Sequence, residues 1–400
     1  MIERCRELAR VSEERDRLTR PYATPAMARA NALVGAWMAQ AGLDVRTDAG
    51  GNLIGHVDGS DPAAGTLLVG SHLDTVRDAG AFDGPLGVLA AVECIELLAT
   101  RGVVLPFAID VLGFSDEEGM RFSTAYLGSR AVAGTFGPEL LEIRDPTGVT
   151  VRQALHEFGG DPDAIGSASR AGERIVGYLE VHMEQGRELE RAGLPVGVVS
   201  AIVGATRAEA RFEGVSGHAG TMAMADRHDA LCAAAEWVLE VEQVAREEPG
   251  LLATVGRLAA YPGAPNVVPG EVTATLDVRH ARDDVRLEAS DALRARADEI
   301  ATARRLRLGW HTRLDNSSVS VDPVLTAALE ASVAETGVSV LRLPSGAGHD
   351  GVALSDITGV AMLFVRCTGG ISHHPDERVE PEDARIAVEV LADTIAALAG

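Results

Sequence analysis

The 400-residue sequence contains no lysine, so all 36 of its basic side chains are arginine. This excludes Schiff-base chemistry on a lysine, a P-loop lysine and a lysine general base. Cysteine is scarce as well: Cys5, Cys94, Cys232 and Cys367 lie far apart and form no C-x-x-C pair. Such spacing argues against a disulfide framework or a thiolate zinc site. Each thiol is expected to be a buried small hydrophobe, and any metal must rest on His and carboxylates. No apolar run reaches the ~18 to 20 residues of a membrane span. The charged opening segment MIERCRELARVSEERDR lacks the apolar stretch of a secretory signal, so a cytoplasmic protein is expected. Positive charge is in deficit: 36 Arg against 59 Asp and Glu give a formal net charge of −23 at pH 7. That removes any general electrostatic attraction for nucleic acid or an anionic membrane. There is no internal repeat and no low-complexity linker.

What is present is a layered α/β pattern. Helices are predicted over 26–42 and 87–100, and short buried strands over 66–70, 107–114 and 175–181. Alternation of this kind predicts a largely parallel sheet. The rhythm changes near residue 205. Strands over 206–213, 252–260, 271–280 and 307–314 and helices over 225–247 and 284–304 follow a β-α-β-β-α-β order, the ferredoxin-like unit. The α/β rhythm returns with a helix over 323–336, strands over 339–343 and 361–367, and a helix over 382–399. The expected division is therefore an α/β domain over 1–204 and 321–400, interrupted by an α+β insertion over 205–320.

The chemistry-bearing segments follow predicted strands, where open α/β sheets collect their ligands. GSHLDTVRDAGAFDG carries His72, with Asp74 placed to fix its second ring nitrogen, and Asp83, a carboxylate able to bridge two cations. GFSDEEGMRF carries Glu117 and Glu118, which point different ways in an irregular turn. LEVHMEQG carries His182, with Glu184 as a potential partner. GGISHHPDE carries adjacent histidines, of which His373 is favoured as a ligand. Alone, each has an ordinary structural explanation as a capping Asp, a solvated turn, a core His or a surface loop. Together His72, Asp83, Glu118, His182 and His373 suit two divalent cations, Zn or Mn, with Ni or Co as alternatives. Paired metals of this kind activate water and polarise a scissile carbonyl, and Glu117 fits as the general base.

Further candidates lie elsewhere. His218 in GVSGHAGTM is able to donate to a developing oxyanion, or is a plain loop His. Asn266 in PNVVPGE is a candidate site residue or a turn former. Arg279 in LDVRH is a carboxylate clamp or a strand-surface Arg. LPSGAGHDG matches G-x-G-x-x-G at Gly346, Gly348 and Gly351, but no acidic residue follows at the distance a dinucleotide site needs. It reads as a Gly-rich wall of the site with Gly348 toward substrate, and His349 and Asp350 are minor candidates.

GSHLDTV, FDG, SDEEGMRF, LEVHMEQG, GHAGTM, PNVVPGE, SGAGHDG and GISHHP, in this order and over nearly the whole chain, resemble the amidase/carbamoylase branch of the dinuclear-metal aminoacylase and carboxypeptidase superfamily. The resemblance implies a central mixed sheet and an inserted lid and dimerisation domain that makes a homodimer. It implies that His72 and His182 are terminal ligands on different metals, that Asp83 bridges them, and that Glu118 and His373 complete the shells. Glu117 would be the base, Gln185 a substrate contact, and His218 and Asn266 would reach the partner protomer's site. The implied reaction is hydrolysis of a terminal ureido group of a small anionic substrate, giving ammonia, carbon dioxide and an amine. MLFVRCTGGISHHPDE and RCRELARVSE most resemble allantoate amidohydrolases. N-carbamoyl-L-amino acids, or a ureidopropionase-type substrate, would need the same clamp and metals. An aminoacylase or peptidase, or a metal-free scaffold, are the competing classes.

Overall fold

The computed structural model describes residues 1–400. The chain divides into two compact units, Met1–Ser200 with Ser320–Gly400, and Ala201–Val319. No helix is long and apolar enough to cross a membrane.

The first unit is built on a nine-stranded mixed sheet. Its hydrogen-bonded order runs Asp44–Thr47, Leu53–Val57, Ala108–Phe114, Thr66–His72, Ile175–Met183, Val360–Val365, Val196–Ile202 and Val319–Ser320, with Arg342–Ser345 pairing Val196–Ile202. The four strands at its centre, from Ala108–Phe114 to Val360–Val365, are mutually parallel, and the pairings that flank them are antiparallel. The central strands are almost wholly buried, as expected where helices cover both faces. Helix Pro85–Arg101 begins on a proline after Gly84 and ends at Gly102 in the left-handed conformation, favoured geometry at both ends. Its Val88, Leu89, Val92 and Ile95 share one apolar core with Leu67, Val69, Leu179, Val181, Leu363 and the closing helix Pro381–Ala397.

In the second unit the strand order in the sheet is Leu258–Tyr261, Glu271–His280, Gly204–Glu213 and Arg307–Asn316, all antiparallel, with Leu252–Thr254 also pairing Glu271–His280. Helices Ala230–Glu247 and Asp283–Ala303 share a core with it around Phe212, Trp237, Leu276 and Leu293. Several expectations need correcting, and the strand expected over 339–343 is Arg342–Ser345. The strand expected over 252–260 is two pieces. Thr254 opposes Asp277 and Leu258 opposes Ala274, so four residues advance against three, which breaks the ladder as a bulge does. The helix expected from residue 225 starts at Ala230, because the Asp229 carboxylate accepts the backbone N–H of Leu231 and Cys232 and caps it there. Cys232 also departs from expectation: it is exposed, while the other three cysteines are buried.

Candidate metal centre

Because the four central strands are parallel, their carboxyl ends share one edge of the sheet. His72 ends the first, the turn Ser115–Gly119 follows the second, His182 lies near the end of the third, and the loop to His373 follows the fourth. Strand polarity alone thus gathers four stretches separated by up to about 300 residues in sequence.

Asp83 sits at the middle of this edge, buried just before helix Pro85–Arg101. Its Oδ1 lies 3.7 Å from His72 Nε2 and 3.3 Å from His182 Nε2. Its Oδ2 lies 3.4 Å from His373 Nε2, which is also 3.3 Å from Glu118 Oε1. Two donor groups therefore share one carboxylate: His72, Asp83 and His182, and Asp83, Glu118 and His373. The resemblance had placed His72 and His182 on different metals. The structure instead sets both rings against the same oxygen of Asp83. His72, Glu117 and Glu118 form another close group.

The spacing itself is informative. Direct N–H···O hydrogen bonds run about 2.7 to 3.2 Å, and these four separations are longer. Two donors each about 2.1 Å from a shared tetrahedral ion stand roughly 3.4 Å apart. His182 Nε2 is buried and has no hydrogen-bond partner, a costly state for a ring nitrogen without some ligand. The residues thus fit a pair of divalent cations.

The surrounding contacts aim each donor. His72 Nδ1 lies 3.0 Å from the Asp74 carbonyl, and His182 Nδ1 lies 2.9 Å from the Met183 carbonyl, which leaves both Nε2 atoms facing Asp83. The Asp74 carboxylate, 3.5 Å from His72 Nδ1, chiefly accepts the backbone N–H of Glu117 at 2.9 Å and of Glu118 at 3.1 Å. It therefore fixes the turn that carries both acids. Burial works against protonating the His72 ring, but Asp74 and Asp83 outweigh it and lift its pKa well above normal. Burial pushes the Glu117 carboxyl well above the usual range; the His72 ring opposes this, while Glu118, Asp350 and Asp74 add to it. Glu118 raises the half-exposed His373 ring to about 9.

Other candidates fall differently. Glu184 does not support His182; it accepts the N–H groups of Glu188 and Leu189 at the start of a short helix. Gln185 donates to Asp83 Oδ2 at 2.8 Å and to Ser372 Oγ at 3.1 Å, leaving its buried Oε1 without a partner. His374 is exposed and accepts the Asp376 N–H. A Cβ on Gly348 would lie 1.8 Å from the Tyr126 hydroxyl, so this glycine makes room for that ring. The neighbouring His349 is buried 4.5 Å, ring to ring, from His182, and burial drives its pKa well below normal. Asp350 is buried with both carboxylate oxygens unpartnered.

In the second unit, His218 and Val267 are paired residues of a two-stranded ribbon, and the Asn266 carbonyl accepts the Ala219 N–H at 2.9 Å, so His218 and Asn266 are neighbours. Arg279 is bidentate to Asp277, at 2.8 and 3.1 Å. It lies at the opposite end of its strand from Glu271, on the order of 25 Å away at about 3.3 Å per residue. The ribbon joins at the Glu271 end, through the hydrogen bond from Gly214 N–H to the Gly270 carbonyl.

Sequence reasoning missed two supporting residues. Arg20 is fully buried; it donates to the Leu73 carbonyl at 2.6 Å, next to Asp74, and burial lowers it to about 10 with Asp74 opposing. Glu377 is buried between the Asp83 and His373 loops. Its place in GISHHPDE beside the favoured histidine was the only available signal.

Known proteins resemble this chain in sequence and in fold. The model of peptidase family M20/M25/M40 matches residues 68–397. An N-carbamoyl-L-amino acid amidohydrolase of Geobacillus stearothermophilus is 43% identical over 96% of this chain and 93% of its own length. An allantoate deiminase of Arabidopsis thaliana is 37% identical over 96% of this chain and 79% of its own. The crystal structure of an amidase of the hydantoinase/carbamoylase family from Burkholderia multivorans superposes with a TM-score of 0.93 at 31% identity, covering 100% of this chain and 97% of that one.

Proposed function

The chain belongs to peptidase family M20/M25/M40, and from that premise we propose that it hydrolyses the terminal ureido group of a small carboxylate-bearing ureide at a two-metal centre. It is a hydrolase of C–N bonds, as its amidohydrolase-named relatives are. The observation that carries the reading is the division of Asp83: one oxygen faces His72 and His182, the other faces His373. His72, His182 and Asp83 would hold one ion, and Asp83, Glu118 and His373 the other.

When bound, such a pair polarises the scissile carbonyl and activates water. Glu117 takes a proton from the attacking water and returns it to the leaving nitrogen. Its burial suits both roles, because a carboxyl pushed toward neutrality is basic enough to accept the proton and acidic enough to release it. His218 donates to the developing oxyanion, Asn266 and Gln185 contact the substrate, Gly348 lines the wall, and Arg279 clamps the substrate carboxylate once it leaves Asp277. Water enters and ammonia, carbon dioxide and an amine leave. A positive clamp within the site lets a chain of net charge −23 capture an anion.

The insertion over 205–320 acts as a ferredoxin-like lid and dimerisation domain. Placement of Arg279 near one end of strand Glu271–His280 and of the His218 ribbon at the other supports their serving different active sites of a homodimer. Allantoate is the proposed substrate, on the strength of MLFVRCTGGISHHPDE. The 43% identity to a carbamoyl amino acid enzyme favours N-carbamoyl-L-amino acids as the second reading. The test is ammonia release from both substrates after chelation and reloading with Zn, Mn, Co or Ni. Activity should vanish on chelation and return with metal. Cleavage of N-acyl amino acids without ammonia release from either ureide would overturn the reading.

A further inference from the structure

The loops that carry Asp83 and His373 lie far apart in sequence; Ser372 Oγ donates to Asp83 Oδ2 between them, and Glu377 ties their backbones together. Glu377 Oε2 accepts the backbone N–H of Phe82 at 3.0 Å and of Asp83 at 3.2 Å, and its Oε1 accepts the backbone N–H of His373 at 3.0 Å. We propose that Glu377 is a positioning residue that assembles the metal centre by holding the Asp83 and His373 backbones in a single buried clamp. The inference rests on the two-metal reading and deepens it.

Three further observations support it. Glu377 is 7% exposed. A buried carboxylate is retained where its charge is answered, and here three peptide N–H groups answer it. His373 has φ +57°, a left-handed conformation that a non-glycine residue keeps only when its surroundings impose it; the Glu377 contact to its N–H is such an imposition. Space is reserved for the clamp, since a Cβ on Gly80 would lie 2.4 Å from the Glu377 Cβ, Cδ and Oε2. Asp74 plays the matching part for the Glu117–Glu118 turn. With both clamps in place, each of the four loops at the sheet edge is either tied to another or fixed by its own strand.

The test compares wild type with Glu377→Gln, which keeps shape but loses one acceptor, and Gly80→Ala, which keeps the carboxylate but displaces it. Zn²⁺ and Mn²⁺ affinities are measured by chelator competition on the full chain, with hydrogen exchange followed in peptides covering 80–84 and 371–375. Both variants should bind metal at least tenfold more weakly, the usual scale for a lost supporting contact. Exchange should quicken in those two peptides alone, and kcat should recover at saturating metal. A merely structural role would lower the melting temperature without this metal rescue. Wild-type affinity in either folded variant would overturn the clamp and leave the two-metal reading standing. A wild-type chain that binds neither ion would overturn both.

Discussion

At the residue scale, the proposed chemistry turns on the difference between two adjacent acids. Glu118 faces His373, whereas Glu117 is grouped with His72 and is absent from both donor groups that share Asp83. Neighbouring residues in a turn point apart, and Asp74 fixes the divergence by accepting both backbone N–H groups. Replacing Glu117 by Gln keeps its volume and leaves the five proposed ligands untouched. The Gln variant is expected to hold metal at near wild-type content while turnover falls by about 10² or more, the scale of a lost general base. Metal analysis alongside steady-state kinetics checks this; full turnover would remove Glu117 from the mechanism, and loss of metal would make it a ligand.

At the element scale, the parallel centre of the sheet does the gathering, and helix Pro85–Arg101 locks it. A Cβ on Gly87 would lie 2.1 Å from the Val181 carbonyl and 2.7 Å from Ser71 Cβ. The helix therefore rests directly on the strands that carry His72 and His182. Gly87→Ala forces it away, and overpacking of this kind costs about 1–3 kcal/mol, measurable as a lower urea midpoint of the metal-free protein. An unchanged midpoint would mean the helix shifts freely. The same elements show what sequence reveals. Thr66–His72 and Ile175–Met183 were legible because strands buried on both faces read as apolar runs, and each ends on a conspicuous polar motif. Asp44–Thr47 and Leu53–Val57 were not, because these short antiparallel strands, the outermost and its neighbour, carry mixed residues such as Arg46 and His56. Site residues followed the same rule. His72, Asp83, Glu118, His182 and His373 stand in motifs at strand ends. Glu377 acts through three backbone N–H groups, two of them 294 and 295 residues away, and such contacts leave no local pattern. Glu184 misled because its spacing from His182 imitates that of Asp74 from His72, while a short helix nearby offered it two unpaired N–H groups instead.

At the scale of the whole molecule, the second unit poses a question of assembly. Arg279 lies near one end of strand Glu271–His280, the ribbon that carries His218 joins at the other, and both are proposed for the same chemistry. A two-fold symmetric dimer resolves this if each active site takes Arg279 from its own chain and His218 from the partner, since an isologous arrangement exchanges the two contributions equally. The consequence is quantitative. Arg279→Ala and His218→Ala homodimers should each be nearly inactive. Mixed and allowed to exchange subunits, half of the dimers become heterodimers. In each heterodimer one site lacks both residues and the other has both intact. Activity should therefore return to roughly a quarter of wild type, with half of the dimers carrying one good site of two. Co-refolding or co-expression with two affinity tags isolates the heterodimer, whose activity should be about half that of wild type by the same count. If both residues served the site of their own chain, every site in the mixture would lack one of them, and no activity would return.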